Sequence, residues 1–153
     1  MALRLSTGCK TGLAGTRGLK DMFNGGQIGI YSGGQPTTAD LAETGTLLTT
    51  VTLISGSSAT SGLTFGTAAD GLLPKSAAVW SGLVANAGVA GYFRLYGTAS
   101  TTGLMGTTGT AGTGIRIDGN VGVSGSDLVL SNTTLTAGAT VTLDTFTLEV
   151  PAA

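Results

Sequence analysis

The chain has 153 residues, enough for one domain with a sizeable core, and a formal net charge of −1. Only 10% of its residues are charged, against about 25% in an ordinary soluble domain, while its mean hydropathy is +0.37. That balance argues against a disordered chain and against a basic nucleic-acid binder. It also leaves little charge to keep a bare monomer soluble, so much of the surface is expected to be covered in a homo-oligomer or larger assembly.

In chain order, residues 3–26 (LRLSTGCKTGLAGTRGLKDMFNGG) hold four of the seven basic residues, Arg4, Lys10, Arg17 and Lys20, and the only cysteine, Cys9. Ser6 is placed to cap a short helix carrying Cys9 and Leu13 on one face. Thr16 is placed to cap a second piece with Leu19, Met22 and Phe23, closed by Asn24-Gly25-Gly26. Glycines at 8, 12, 15 and 18 each weaken a helix by about 1 kcal/mol relative to alanine, so the segment needs a surface to pack on. The expectation is a helical N-terminal arm over 1–26 that docks on a neighbour through Arg4, Lys10, Leu13, Arg17, Lys20 and Phe23. The apolar run of a signal peptide is interrupted by Arg4, Ser6 and Thr7, which predicts a protein made in the cytoplasm.

From Gln27 the period changes to two. QIGIYS is a strand with Ile28 and Ile30 on one face, ended by Gly33-Gly34-Gln35-Pro36. TTADLAET suits a single helical turn. TLLTTVTLIS puts Leu47, Val51 and Leu53 on one side, and GLTFG and SAAVWSGLVA follow around the Pro74-Lys75 break. In GYFRLYG, Phe93 and Leu95 alternate with Tyr92, Arg94 and Tyr96, so one face is aliphatic and the other polar-aromatic. Residues 98–114 have no period and read as a long loop. IRID-GN-VGVS reads as a hairpin turning at Gly119-Asn120. In the closing segment Val141 and Leu143 share one phase and Phe146, Leu148 and Val150 the other, which predicts a bulge or a bend between sheets near Asp144-Thr145. The sum is an all-β domain over 27–153 with eight or nine strands, a two-sheet antiparallel sandwich of jelly-roll type, with an immunoglobulin-like sandwich as the alternative.

Chemistry-bearing patterns are few. With no histidine, Ser-His-Asp and Cys-His arrangements are excluded. A lone cysteine allows neither an internal disulfide nor a cysteine-built metal site. Lys75-Ser76 sits in a turn, and Asp40 and Glu43, three apart, would share a face only on a helical turn. GTTGTAGTG at 106–114 lacks the Gly-Lys-Ser/Thr end of a phosphate loop, and GVSGSD at 122–127 is a single copy of a calcium-repeat-like string. Asn132-Thr133-Thr134 fits a glycosylation acceptor but has no secretion signal beside it. Trp80, Tyr92 and Tyr96 could form a sugar platform, although a core would claim them first. No catalytic, cofactor or metal site is expected, and no run is long enough to span a membrane.

The opening LSTGCKTGLAGTRGLKDMFNGGQIGIYSGGQPTTADLAETGTLL, the central GYFRLYG and the closing IRIDGNVGVSGSDLVLSNTTLTAGATVTLDTFTLEVP resemble the small structural proteins of tailed-bacteriophage particles. The resemblance spans nearly the whole chain but rests on overall style and short stretches, with no catalytic motif. It implies a non-enzymatic virion part, foremost a capsid cement or decoration protein on the head surface whose partner is the major capsid protein. A tail or neck component and a carbohydrate-binding, receptor-recognition module are the alternatives.

Overall fold

Alternating apolar and hydroxyl residues, punctuated by glycine, fold into antiparallel sheets with few helices. The computed structural model describes residues 3–15, 17–53, 62–97 and 114–150. Its elements are β1 (Arg4–Leu5), α1 (Thr7–Ala14), α2 (Leu19–Phe23), β2 (Gln27–Ser32), β3 (Leu47–Val51), β4 (Leu72–Pro74) and β5 (Trp80–Leu83). They continue with β6 (Gly88–Tyr96), β7 (Arg116–Gly122), β8 (Leu128–Val129), β9 (Thr134–Leu135), β10 (Thr140–Leu143) and β11 (Thr147–Glu149). The main sheet runs β1-β7-β6-β2-β3, with β8 on β7 and β9 on the start of β6. Two ribbons, β10-β5 and β11-β4, complete the fold.

The first ribbon continues the main sheet around a corner. Isolated bridges Thr49↔Val84 and Thr52↔Ser81 join β5 to β3 in one antiparallel register. Gly82 permits that approach, since a Cβ there would run into the Thr50 carbonyl and the Thr49 hydroxyl. β10 ends at Leu143 and β11 begins at Thr147 in a different ribbon, so the phase change near Asp144-Thr145 is a bend between sheets. Between the curled layers lies the core. Ile28, Ile30, Phe93, Leu95 and Ile117 face Trp80, Phe65, Leu148 and Phe146, whose rings meet edge-on or tilted at 5.1–5.7 Å. Each such side chain, fully buried, is worth about 1.5–3 kcal/mol, so this cluster is the main source of stability.

Residues 3–26 pack on their own sheet. Ser6 caps α1 as expected, its Oγ accepting from the Cys9 N–H at 3.1 Å and from the Arg116 N–H at 3.0 Å. The same hydroxyl donates to the Gly114 carbonyl at 2.7 Å, which ties the helix start to β7. Cys9, Met22 and Phe23 are fully buried in the common core, and β1 pairs with β7. The N-cap of α2 is Gly18, which has no side chain to bond the first turn; Thr16 lies outside the described residues.

Three local expectations are corrected. Gly119-Asn120 is not a hairpin turn, because β7 runs unbroken from Arg116 to Gly122. Glycine is needed at 119 for packing, since a Cβ there would meet the Phe93 ring. TTADLAET forms no helix; it belongs to residues 33–46, a strap laid across the main sheet. In β3 it is Leu48 that turns inward, while Leu47 is exposed, because the β2-β3 register slips between Ile30 and Tyr31. The 98–114 loop and the GTTGTAGTG string lie outside the described residues, save Gly114.

A buried arginine, carboxylate and tyrosine network as the candidate functional site

The alternation in GYFRLYG decides which face of β6 carries chemistry. Phe93 and Leu95 point into the core, so Tyr92, Arg94 and Tyr96 emerge on the opposite face. The β2-β6-β7 register sets Tyr31 beside Tyr92, Gly29 beside Arg94, and Asn120, Asp118 and Arg116 beside Tyr92, Arg94 and Tyr96 in turn. The 33–46 strap closes over this face, so that Arg94, Asp118 and Arg116 are 0–1% exposed although all three are charged residues.

Asp118 meets Arg94 side-on, accepting from Nε at 2.6 Å and from Nη2 at 2.7 Å. The remaining Arg94 nitrogen, Nη1, donates to the Leu41 carbonyl of the strap at 2.9 Å and lies 3.1 Å from Glu43 Oε1. Tyr96 donates its hydroxyl to the same Glu43 oxygen at 2.8 Å and shares a 2.5 Å bond with the Tyr31 hydroxyl. Tyr92 both accepts from the Thr44 N–H and donates to the Thr44 carbonyl, at 2.9 and 2.8 Å, while its ring stacks on Tyr31 at 5.1 Å. Gly29 leaves room for the Tyr31 ring. At the far end Arg116 Nη2 reaches the Asp40 carbonyl at 3.4 Å, and Arg4 donates to the Pro36 carbonyl.

The protonation chemistry follows from burial and these partners. Burial works against the Arg94 cation, but the hydrogen bonds and charge of Asp118, with Glu43, outweigh it and raise its pKa. For Arg116, burial and the neighbouring Arg94 charge prevail and lower it. Burial raises the Asp118 carboxyl against the pull of both arginines. It would raise Glu43 too, but that residue's own N–H, Tyr96 and Arg94 hold it below the usual range. Burial pushes Tyr31 up to about 12 and raises Tyr92 and Tyr96. The side-on Arg94–Asp118 contact and the 3.1 Å approach of Glu43 are those of a cation held between two carboxylates, while the three tyrosines stay neutral at neutral pH. Every one of these groups holds the strap or another member of the cluster.

Asp40 and Glu43 do not come together as an acid pair. Asp40 takes the start of α1, accepting from the Thr7 N–H at 2.9 Å and its hydroxyl at 2.7 Å, while Glu43 is held by Arg94 and Tyr96. Lys75 Nζ donates to the Ser76 and Ala78 carbonyls, closing its own turn. Asn120 and Asp127 exchange two bonds at 3.0 and 3.1 Å, which fold GVSGSD back on β7. No group of three or more histidine, cysteine, aspartate or glutamate side chains suited to a metal is found among the described residues. No described helix is long and apolar enough to cross a membrane.

Of the residues expected to contact a partner, Lys10 and Arg17 are exposed and Leu13 is half-buried. Lys20 is exposed but donates to the Gly66 carbonyl at 2.9 Å, and Arg4 is bound to the strap. Phe23 is fully buried in the chain's own core and offers a partner no surface. Trp80 and Tyr92 are 0% exposed and Tyr96 4%, so none presents a ring face to a sugar. Sequence reading separated the polar face of β6 but missed the Arg94–Asp118 pair. The available signal was a shared phase: both residues alternate with core positions on their strands. Assigning Gly119-Asn120 to a turn hid it.

Comparison with protein-family models, with curated proteins and with solved structures finds no match for this chain.

Proposed function

We propose that this chain is a non-enzymatic structural protein of a tailed-bacteriophage virion, a cement or decoration subunit that binds across the head shell. The observation that carries the reading is where the chain places its polar chemistry. Its best-organised ionisable groups brace its own strap, while the surface shows large aliphatic side chains, among them Leu72, Val79, Leu83, Val89, Val123 and Val129 at 41–61% exposure. A surface poor in charge and dotted with apolar residues suits burial against neighbours more than life as a free monomer. The resemblance in sequence style points the same way, and a jelly-roll topology, closed by the two ribbons, belongs to the proposal. The partner is the major capsid protein, with self-association into a homo-oligomer. On residues 3–26 the groups left for contact are Lys10, Arg17 and the outer side of Leu13.

Subunits of this kind act mechanically, each adding a contact across neighbouring shell proteins. A standard interface buries about 1,600 Å² in total, so many modest contacts would resist internal pressure together. An electron-microscopy map of particles carrying the protein tests the reading: density on the head surface supports it, and density confined to the tail or neck replaces it with that alternative. Binding to assembled shells but not to free shell monomers is the expected solution behaviour, weakened by Lys10→Glu/Arg17→Glu. Unchanged binding by that double variant would remove the helical segment from the interface.

A further inference from the structure

The sequence contains three bonds in which an Asn or Asp precedes glycine: Asn24–Gly25, Asp70–Gly71 and Asp118–Gly119. Such bonds share one spontaneous reaction. The glycine nitrogen attacks the side-chain Cγ, a C–N bond forms, and water (from a carboxyl) or ammonia (from an amide) leaves with the amide proton. The resulting five-membered imide is opened by water. Attack at the former main-chain carbonyl leaves the chain running through Cγ, as isoaspartate. The reaction needs a free glycine N–H, a side chain free to swing onto it, and for aspartate the neutral acid form.

Two of the three bonds fail those requirements. At Asn24 the side-chain oxygen is held by the Phe65 N–H at 3.0 Å, and the Gly25 N–H is engaged by the Leu63 carbonyl at 2.6 Å. At Asp118 the carboxylate is clamped by two Arg94 nitrogens inside the network, and Gly119 lies in the middle of β7. The third bond meets the two geometric ones. Asp70 and Gly71 are the two central residues of a tight hairpin, closed by Ala69 N–H to Leu72 carbonyl at 3.0 Å and the reverse at 2.8 Å. Both are exposed, and neither the Asp70 carboxyl nor the Gly71 N–H has a hydrogen-bond partner among the described residues. A Cβ at Gly71 would meet nothing within 4 Å, so the tip of the turn is open on that side.

We infer that Asp70–Gly71 is the chain's site of isoaspartate formation, and that the fold protects the other two bonds open to the same cyclisation. The product adds a methylene to the main chain at the tip of the β4 hairpin. Both Ala69–Leu72 hydrogen bonds then lose their register, and so does the Gly71 carbonyl that accepts from Val150 at 2.9 Å. The modification therefore marks and loosens the β11-β4 ribbon while leaving the strap network in place.

The test is to age the intact protein in warm buffer beside a sample unfolded in urea. Both are then digested with a protease that cuts before aspartate but not isoaspartate, and labelled with an isoaspartate-specific methyltransferase. In native protein the label is expected in the peptide spanning 70 and 71 alone, with loss of cleavage at Asp70; in urea all three bonds react. Asp70→Ser removes the native label. Native labelling at Asn24 or Asp118 as fast as at Asp70 overturns the inference. So does a native Asp70 that stays unlabelled while the unfolded chain reacts.

Discussion

Replacing Asp118 by asparagine keeps shape and volume but withdraws the carboxylate that fills Arg94's side-on pair. Both partners have fully buried side chains, so water cannot take its place. The asparagine oxygen can still accept one guanidinium N–H, but its amide would point hydrogens at the other. Removing one member of a buried ion pair costs about 3–5 kcal/mol, because the remaining charge stays desolvated. Arg94 retains Glu43 at 3.1 Å and the Leu41 carbonyl, which places Asp118→Asn near the lower end, at about 3 kcal/mol. With a urea m-value of about 2 kcal/mol/M, the unfolding midpoint at neutral pH should fall by about 1.5 M. Glu43→Gln, at a site still 14% exposed, should cost less, about 1.5 kcal/mol. The double variant should depart from the sum, since both carboxylates act on one guanidinium. A midpoint for Asp118→Asn within about 0.3 M of the parent would refute the reading that this pair braces the fold.

Three further outcomes follow from the same geometry. Tyr31 is pushed up to about 12 from 10, so the folded chain keeps a proton that the unfolded chain releases. Its contribution is intact below pH 10 and shrinks by about 3 kcal/mol as pH rises to 12, with Tyr92 and Tyr96 acting in the same direction. Urea titrations between pH 8 and 12 should show that slope, and Tyr31→Phe should flatten it; an unaltered slope in the variant would assign the loss elsewhere. Burial pushes the Cys9 thiol up to about 12, so iodoacetamide at pH 8 should label it only in denaturant, and rapid native labelling would place Cys9 outside the core. Gly82→Ala should cost about 3 kcal/mol by forcing the β3-β5 corner apart. Gly34→Ala, where nothing lies within 4 Å, should stay within about 0.5 kcal/mol, and equal effects at both would remove the close-approach argument.

What could be read from sequence was local and periodic. Ser6 as a cap, β2 over Gln27–Ser32, and the two faces of GYFRLYG all follow from residue type and a period of two or 3.6. The bend near Asp144-Thr145 was visible because a phase change survives in one dimension. The failures share a different cause. Gly119 is required by the Phe93 ring on the adjacent strand, and a turn and a close contact ask for the same residue. The strap has no period at all, since its order comes from Arg94, Tyr92 and Tyr96, some fifty residues away. Glycines in residues 3–26 signal a segment that needs a surface, but one chain's sequence does not say whose. In the structure it is the chain's own sheet.

Why a chain so poor in charge places two arginines and an aspartate beneath its strap is best answered by register. Its strands are short and rich in threonine, valine, isoleucine and glycine, so side-chain size alone distinguishes one register from another only weakly. A one-residue slip of β6 against the core would bury Tyr92, Arg94 and Tyr96 among Trp80, Phe65 and Phe146 and leave their partners on β7 behind. The cost of an unpaired buried arginine, several kcal/mol, is far larger than the contrast between one aliphatic strand and another. The network thus penalises wrong alignments more than it stabilises the right one. Replacing the pair by apolar residues of similar size, Arg94→Met with Asp118→Leu, should separate the two effects. Stability in urea should hold or rise, as for other buried ion pairs exchanged for packed side chains. Amide exchange in β2, β6 and β7 should become heterogeneous, with more than one protection pattern. A variant that is as stable as the parent and shows one sharp pattern would mean that the hydrophobic alternation sets the register unaided.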